Sequence, residues 1–260
     1  VDNRPGASTN IGGQAVATAK ADGYTIMSAD NAILAYNEHL FSKLPFSPQN
    51  DFTYVGGISR FPLALVVHPS FEAKTMKEFL AYVRANPGKV NYASPGNGSP
   101  HHLAMEMFKN RTKTFLTHIP YRGAAPAMAD VMGGQVPCMF LDLASGLSVI
   151  QSGKVRALAI GSAKRIATLP DVPTLGEVGV ADTEVFAFQG ILGPKGLPAN
   201  VTQRLNADLN KALASPAVVK RMQDFGMEAL PGTPEQFRAL ARAEAKRWGE
   251  VIKAAGVKLD

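Results

Sequence analysis

Short apolar runs alternate along the chain with segments whose apolar residues recur every three or four positions. The first pattern fits strands, and the second fits helices laid on a sheet. Pro and Gly punctuate the connections, so the alternation predicts an α/β protein with largely parallel sheets. The segment opening at Thr75 shows the helix logic. Thr75 and Glu78 have capping-box spacing, Met76, Phe79, Leu80 and Val83 form one stripe, and Asn86-Pro87-Gly88 ends it. Thr174 with Glu177 and Thr233 with Gln236 repeat the capping box, and Ser215-Pro216 supplies a cap followed by a first-turn proline. Val201, Leu205, Leu209 and Leu213 recur every four residues, and a second stripe runs from Phe237 through Leu240 and Trp248 to Ile252. Both stripes read as core.

Two apolar runs, Phe61 to Val67 and Val185 to Leu192, are longer than ordinary strands need. Strands crossing between two domains account for them. On that reading residues 63–186 are an insertion within a discontinuous first domain of residues 1–62 and 187–260.

With 260 residues, 46% of them hydrophobic and 18% charged, the chain can bury a full core. No window approaches the roughly 18 uninterrupted apolar residues of a membrane-spanning helix. Lys and Arg number 27 against 21 Asp and Glu, a net +6, but they are scattered. A nucleic-acid surface is therefore not expected, and anionic partners are favoured only weakly. Cys138 is the sole cysteine, which excludes an internal disulfide and a cysteine zinc cage. The chain opens on Val1 in what reads as the end of a strand and a turn, so a processed or trimmed start with missing upstream sequence is expected.

The stretch most informative about chemistry runs from the strand-like Val90 to Ser94 into Pro95-Gly96-Asn97-Gly98-Ser99-Pro100 and then a helix through Leu103, Ala104, Met107 and Phe108. Ser99 is a natural N-cap and Pro100 a natural first helical residue, so free backbone N–H groups should face the loop and could hold a carboxylate or phosphate. A tight turn that merely needs its glycines fits the same residues. His101 stands where a dinucleotide fingerprint would need its third glycine, and the phosphate-loop pattern is absent. A second strand, loop and helix follow in Phe115 to Ile119, Pro120-Tyr121-Arg122-Gly123 and Ala124 to Met132, where Arg122 either anchors an anion or lies solvated. At the third such place Asp142 is read as a helix cap in preference to a catalytic carboxylate. His102 and Glu106 have the i, i+4 spacing of metal ligands, but no third ligand is evident, and no Ser, His and acid set declares itself. Neither a metal nor a catalytic residue is assigned.

Seven motifs now stand in order: Asp2-Asn3-Arg4-Pro5-Gly6-Ala7, Asp22-Gly23-Tyr24-Thr25, Asn91 to Pro100, Pro120 to Gly123, Gly134-Gln135-Val136, Gly153 to Ala159 and Leu169 to Thr174. Together they resemble the Bug family, the extracytoplasmic solute-binding proteins of tripartite tricarboxylate transporters, over the whole chain. The resemblance implies a monomeric periplasmic receptor, exported with its signal peptide removed or not included. It implies a type II-like binding protein of two lobes, each a mixed sheet flanked by helices, closing on a small organic acid or a related metabolite that is passed to integral-membrane transporter subunits. No cofactor is implied. Carried over by motif, the ligand residues are Ser8, Thr9 and Asn10 in lobe one, and Ser94, Gly96, Asn97, Gly98, Ser99, Tyr121, Arg122, Gly123 and Ala124 in lobe two. Asp142 and Phe188 stand where the pattern departs. Many relatives read Phe-Asp-Asn-Leu against Phe140-Leu141-Asp142-Leu143, and Trp-Phe-Gly is common against Phe188-Gln189-Gly190. The family also begins a few dozen residues earlier, with a strand, a glycine loop and a helix. A ligand sensor reporting to a signalling partner fits the same lobes, and a hydrolase is an alternative that no residue set supports.

Overall fold

The computed structural model describes residues 1–4 and 6–260. Pro5, part of the first motif, lies outside the described residues. The chain divides into two compact units, one of Val1–Arg60, Phe188–Asp224 and Glu228–Asp260, the other of Phe61–Ala187 and Phe225–Met227.

In the first unit, α1 (Asn10–Ala17), β1 (Met27–Ala29), a π-helical turn (Ala32–Tyr36) and α2 (Asn37–Leu40) lead into the first part of β2 (Phe52–Val67). The chain returns on β7 (Phe186–Pro194), followed by α7 (Ala199–Leu213), α8 (Pro216–Asp224), β8 (Glu228–Ala229) and α9 (Pro234–Ala255). β1 pairs antiparallel with β7, from Met27 opposite Leu192 to Ala29 opposite Gly190, and β8 pairs antiparallel with β2 at Ser59 and Arg60. β2 is 16 residues long and begins well before Phe61, where the apolar run suggested. Gly56-Gly57 hides the earlier half, because these glycines serve packing: a Cβ on either would press on Asn206 and Leu209 or on Leu230 and Phe237. The α9 stripe is core as expected, with Phe237, Ala241, Trp248 and Ile252 buried. The ring of Trp248 meets Tyr36 edge-on at 5.4 Å, and its indole N–H donates to Glu244 Oε2 at 2.9 Å. The capping boxes at Thr75 and Thr233 both form.

The second unit contains the rest of β2, then α3 (Met76–Ala85), β3 (Asn91–Ser94), α4 (Pro100–Thr112), β4 (Thr117–Pro120), α5 (Ala124–Met132), β5 (Cys138–Asp142), α6 (Leu143–Gln151) and β6 (Arg156–Ile160). β3 runs parallel to β4 and β5, while β2 is antiparallel to both β5 and β6. The sheets are therefore mixed and less parallel than the alternation suggested. Strand register sorts the side chains. Ala64, Val66, Ala93, Met139 and Leu141 share one face and form a core with Ala127 and Val131 of α5 and Leu143 and Leu147 of α6. Tyr92, Ser94, Cys138, Phe140 and Asp142 alternate onto the other face, under α4, where Phe108 meets Phe140 edge-on.

Two local expectations differ from the structure. Phe115 is 59% exposed and precedes β4, because the strand starts only where Thr117 pairs with Asn91. Thr174 and Glu177 exchange the hydrogen bonds of a capping box, at 2.7 and 3.1 Å, yet no helix follows. Gly176 and Gly179, the latter at φ +83°, stop it after one turn.

Candidate functional site

Because β3, β4 and β5 run the same way, their carboxyl ends, Ser94, Pro120 and Asp142, fall at one edge of the second unit's sheet. α4, α5 and α6 all start there. Ligands of open α/β sheets gather at such an edge.

The first loop is tied from within. Ser94 is fully buried, and its hydroxyl accepts the Gly96 N–H at 3.1 Å and lies 2.6 Å from His118 Nε2. The Gly98 N–H donates to His102 Nδ1 at 3.1 Å, and the Ser99 N–H donates to Gly96 O at 3.2 Å. Ser99 caps α4 through its hydroxyl, which accepts the His102 N–H at 3.3 Å. These bonds correct the expectation of a loop full of free amides: Gly96, Gly98, Ser99 and His102 are engaged, while the Asn97 and His101 amides have no protein acceptor among the described residues. The loop conformation needs its glycines, with φ at +144° for Gly96 and +73° for Gly98.

The second loop is bonded to the first, since the Tyr121 N–H donates to Ser94 O at 2.9 Å and the Gly123 N–H to Pro95 O at 3.0 Å. Tyr121 Oη donates to Asp130 Oδ2 at 2.6 Å, and burial together with that carboxylate pushes the phenol up to about 12. Tyr121 is thus a hydrogen-bond donor anchored to α5, the helix that follows its loop. Arg122 is exposed and has no carboxylate partner among the described residues. Gly123, at φ +119°, leaves open space in front of Ala124 at the start of α5.

Asp142 caps α6, as the sequence reading preferred. Its Oδ1 accepts the Ser145 N–H at 2.8 Å, and its Oδ2 accepts the Ser145 hydroxyl at 2.7 Å and faces His101 Nε2 at 3.2 Å. Burial works against its charge, but His101 and Ser145 outweigh it and hold the carboxyl below its ordinary range.

The other candidates belong to the first unit. Ser8 O and Asn10 Oδ1 both accept from the side-chain amide of buried Asn37, at 2.7 Å each, and Thr9 hydroxyl donates to Ser8 O. Ser8 and Thr9 have φ of +49° and +69°. The Phe188 ring is completely buried, edge-on to Phe237, and its N–H donates to Asn31 Oδ1 at 2.7 Å. It is a core residue of this unit.

Two residues that the sequence reading left out, His102 as a loop anchor and His118, sit directly behind the first loop. Their rings stack at 4.0 Å with planes 5° apart, and Tyr92 stacks on His118 at 4.8 Å. The register pairing Tyr92 with His118 makes this possible, and only the sheet order reveals it. A signal was nonetheless present, because His102, Glu106 and Lys109 share one face of α4. Glu106 Oε1 accepts from Tyr92 Oη at 2.7 Å and from Lys109 Nζ at 2.6 Å, so it is spent on ion pairing. No group of three metal-ligating side chains occurs among the described residues. Ser94 and His118 have the spacing of a nucleophile and its base, but the hydroxyl is inaccessible and committed to Gly96.

Comparison with known proteins finds relatives along the whole chain. The family described as tripartite tricarboxylate transporter family receptor matches residues 1–257. Protein BugT of Bordetella pertussis is 35% identical over 260 residues, covering 100% of this chain and 80% of BugT. Among solved structures, R. palustris Rpa4515 with adipate superposes with a TM-score of 0.91 at 32% identity, over 99% of this chain and 86% of that one. MatC (Rpa3494) from Rhodopseudomonas palustris with bound malate gives 0.83 at 30% identity, over 95% and 85%. The fold is that of periplasmic binding proteins such as BugD, which superposes with a TM-score of 0.87 at 35% identity. Within that class, the chain belongs to the tripartite tricarboxylate transporter receptor family.

Proposed function

We propose that this receptor binds a small organic acid at the carboxyl edge of the second unit's sheet, with a ligand carboxylate at the loops of Ser94 to Ser99 and Tyr121 to Ala124. The observation that carries this reading is the set of donors left over there. Among the described residues the Asn97 and His101 amides and the Arg122 guanidinium have no protein acceptor, at an edge where three helices of eight residues or more begin. The bound adipate and malate of the two solved relatives support a dicarboxylate. Ser8, Thr9 and Asn10 are the first unit's candidates for ligand contact. The receptor works in the periplasm and delivers its solute to the membrane subunits of a tripartite transporter. Among the described residues no helix is long and apolar enough to cross a membrane.

A thermal-shift screen of adipate, malate, other mono-, di- and tricarboxylates and pyridine carboxylates tests the ligand class. A ligand present at 100 times its Kd should stabilise the fold by about 2.7 kcal/mol. No shift with any carboxylate, and a shift with a neutral or cationic solute, would overturn the assignment.

A further inference from the structure

Two stacked imidazoles lie behind the loop, one bonded to Gly98 directly and the other in contact with the Ser94 hydroxyl that holds Gly96. The Gly98 N–H needs a lone pair on His102 Nδ1, so His102 carries its single proton on Nε2, 3.7 Å from Glu106 Oε1. The Gly96 N–H is held by Ser94 Oγ, which is itself in contact with His118 Nε2. We infer that His102 is a positioning residue for ligand binding: its bare Nδ1 turns the Gly98 amide inward and so sets the Asn97 and His101 amides outward, and a proton on Nδ1 releases the loop and weakens binding. This rests on the carboxylate reading of the loop given above.

The surroundings keep His102 neutral. Across from it lie His118 on β4 and Tyr92 on β3, with Glu106 and Lys109 on its own helix and the Cys138 thiol below Tyr92 on β5. Lys109 and Tyr92 already occupy Glu106, which therefore offers little to a second cation. Two imidazoles 4.0 Å apart cannot both be charged at modest cost. Burial, above all, holds His102 below its ordinary value, and burial with the neighbouring His102 brings His118 down to about 4. Burial also pushes the Cys138 thiol up, so it stays neutral.

The test compares the parent with His102→Asn, whose side-chain oxygen can take the place of Nδ1 but cannot be protonated, and with His102→Ala. Calorimetry with adipate and with malate from pH 7.5 to 4.5 reads affinity, and circular dichroism checks the fold. At pH 7.5 His102→Asn should bind within about threefold of the parent, and His102→Ala about tenfold or more weaker. Below the titration of His102, parent affinity should fall about tenfold per pH unit relative to His102→Asn, a ratio that cancels the titration of the acid itself. A constant ratio, or a folded His102→Ala that binds like the parent, overturns the inference; a residue that merely fills the core would give that constant ratio. A ligand-free arm follows the Gly98 amide and the His102 ring nitrogens by nitrogen-15 NMR over the same range. The two should titrate together in the parent, and the Gly98 shift should be absent in His102→Asn. If neither acid binds, the dicarboxylate reading fails while this arm still decides the inference: joint titration supports it, and an unmoved Gly98 amide overturns it.

Discussion

The hydroxyl of Ser94 and Nε2 of His118 lie 2.6 Å apart on neighbouring parallel strands, and that hydroxyl also holds the Gly96 N–H. One buried oxygen thus links the end of β3, a side chain of β4 and the second residue of the loop that leaves the strand. Ser94→Ala should leave the imidazole nitrogen and the Gly96 amide without their partner. The expected loss is about 1 to 3 kcal/mol in urea unfolding, the scale for stranding a buried polar group, with weaker ligand binding alongside. Unchanged stability would mean that water replaces the hydroxyl at no cost.

Gly96 is constrained twice. Its φ of +144° lies in a region that side chains rarely adopt, and a Cβ there would sit 3.3 Å from the Tyr121 carbonyl oxygen. Gly96→Ala should cost about 1 to 3 kcal/mol through backbone strain and should separate the two loops. Gly153 is the control, also at positive φ but with nothing near its added Cβ; Gly153→Ala should lower stability without moving ligand affinity.

Stability should also fall on acidification before the carboxylates titrate. His118 is held down to about 4, whereas in the unfolded chain it titrates near the ordinary value of 6.5. Between those values the unfolded state binds a proton that the folded state refuses, so stability rises with pH across this window and declines as pH drops through it. The slope is at most about 1.4 kcal/mol per pH unit for one histidine. His118→Gln should flatten it in urea titrations from pH 7 to 4.5; an unchanged slope would place the effect on other groups.

Helices and their stops were legible because local rules decide them: the Thr75 and Thr233 caps and the α9 stripe need only neighbours in sequence. The loop before α4 was legible as a turn and a helix start for the same reason. The destination of each amide was not, because Gly98 finds its acceptor on His102 only after the helix has formed, and the pairing of Tyr92 with His118 depends on sheet order. Thr174 shows the opposite failure. The capping pattern is present and its bonds form, but Gly176 and Gly179 withhold the helix that the pattern normally announces. Gly56 and Gly57 concealed the first half of β2 because they accommodate neighbours contributed from residues 206–237, which no window around residue 56 contains.

Asp142 separates a structural from a ligand role. Its carboxylate caps α6 and pairs with His101, which leaves no oxygen without a protein partner. Asp142→Asn keeps an acceptor for the Ser145 N–H but loses the charge, whereas Asp142→Ala loses the cap as well. Stability should therefore fall in the order parent, Asn, Ala, with the alanine variant about 1 to 3 kcal/mol below the parent. Since the carboxyl is held below its ordinary range in the fold, its contribution is present above the unfolded pKa and disappears as pH falls through the lower folded value. The spread between parent and Asn should accordingly shrink in strongly acidic urea titrations. Affinity for adipate or malate should survive Asp142→Asn within a few-fold, because the residue faces α6 and His101 with both oxygens. A folded Asp142→Asn that no longer binds a carboxylate accepted by the parent would make Asp142 a ligand residue and displace the cap as its main role.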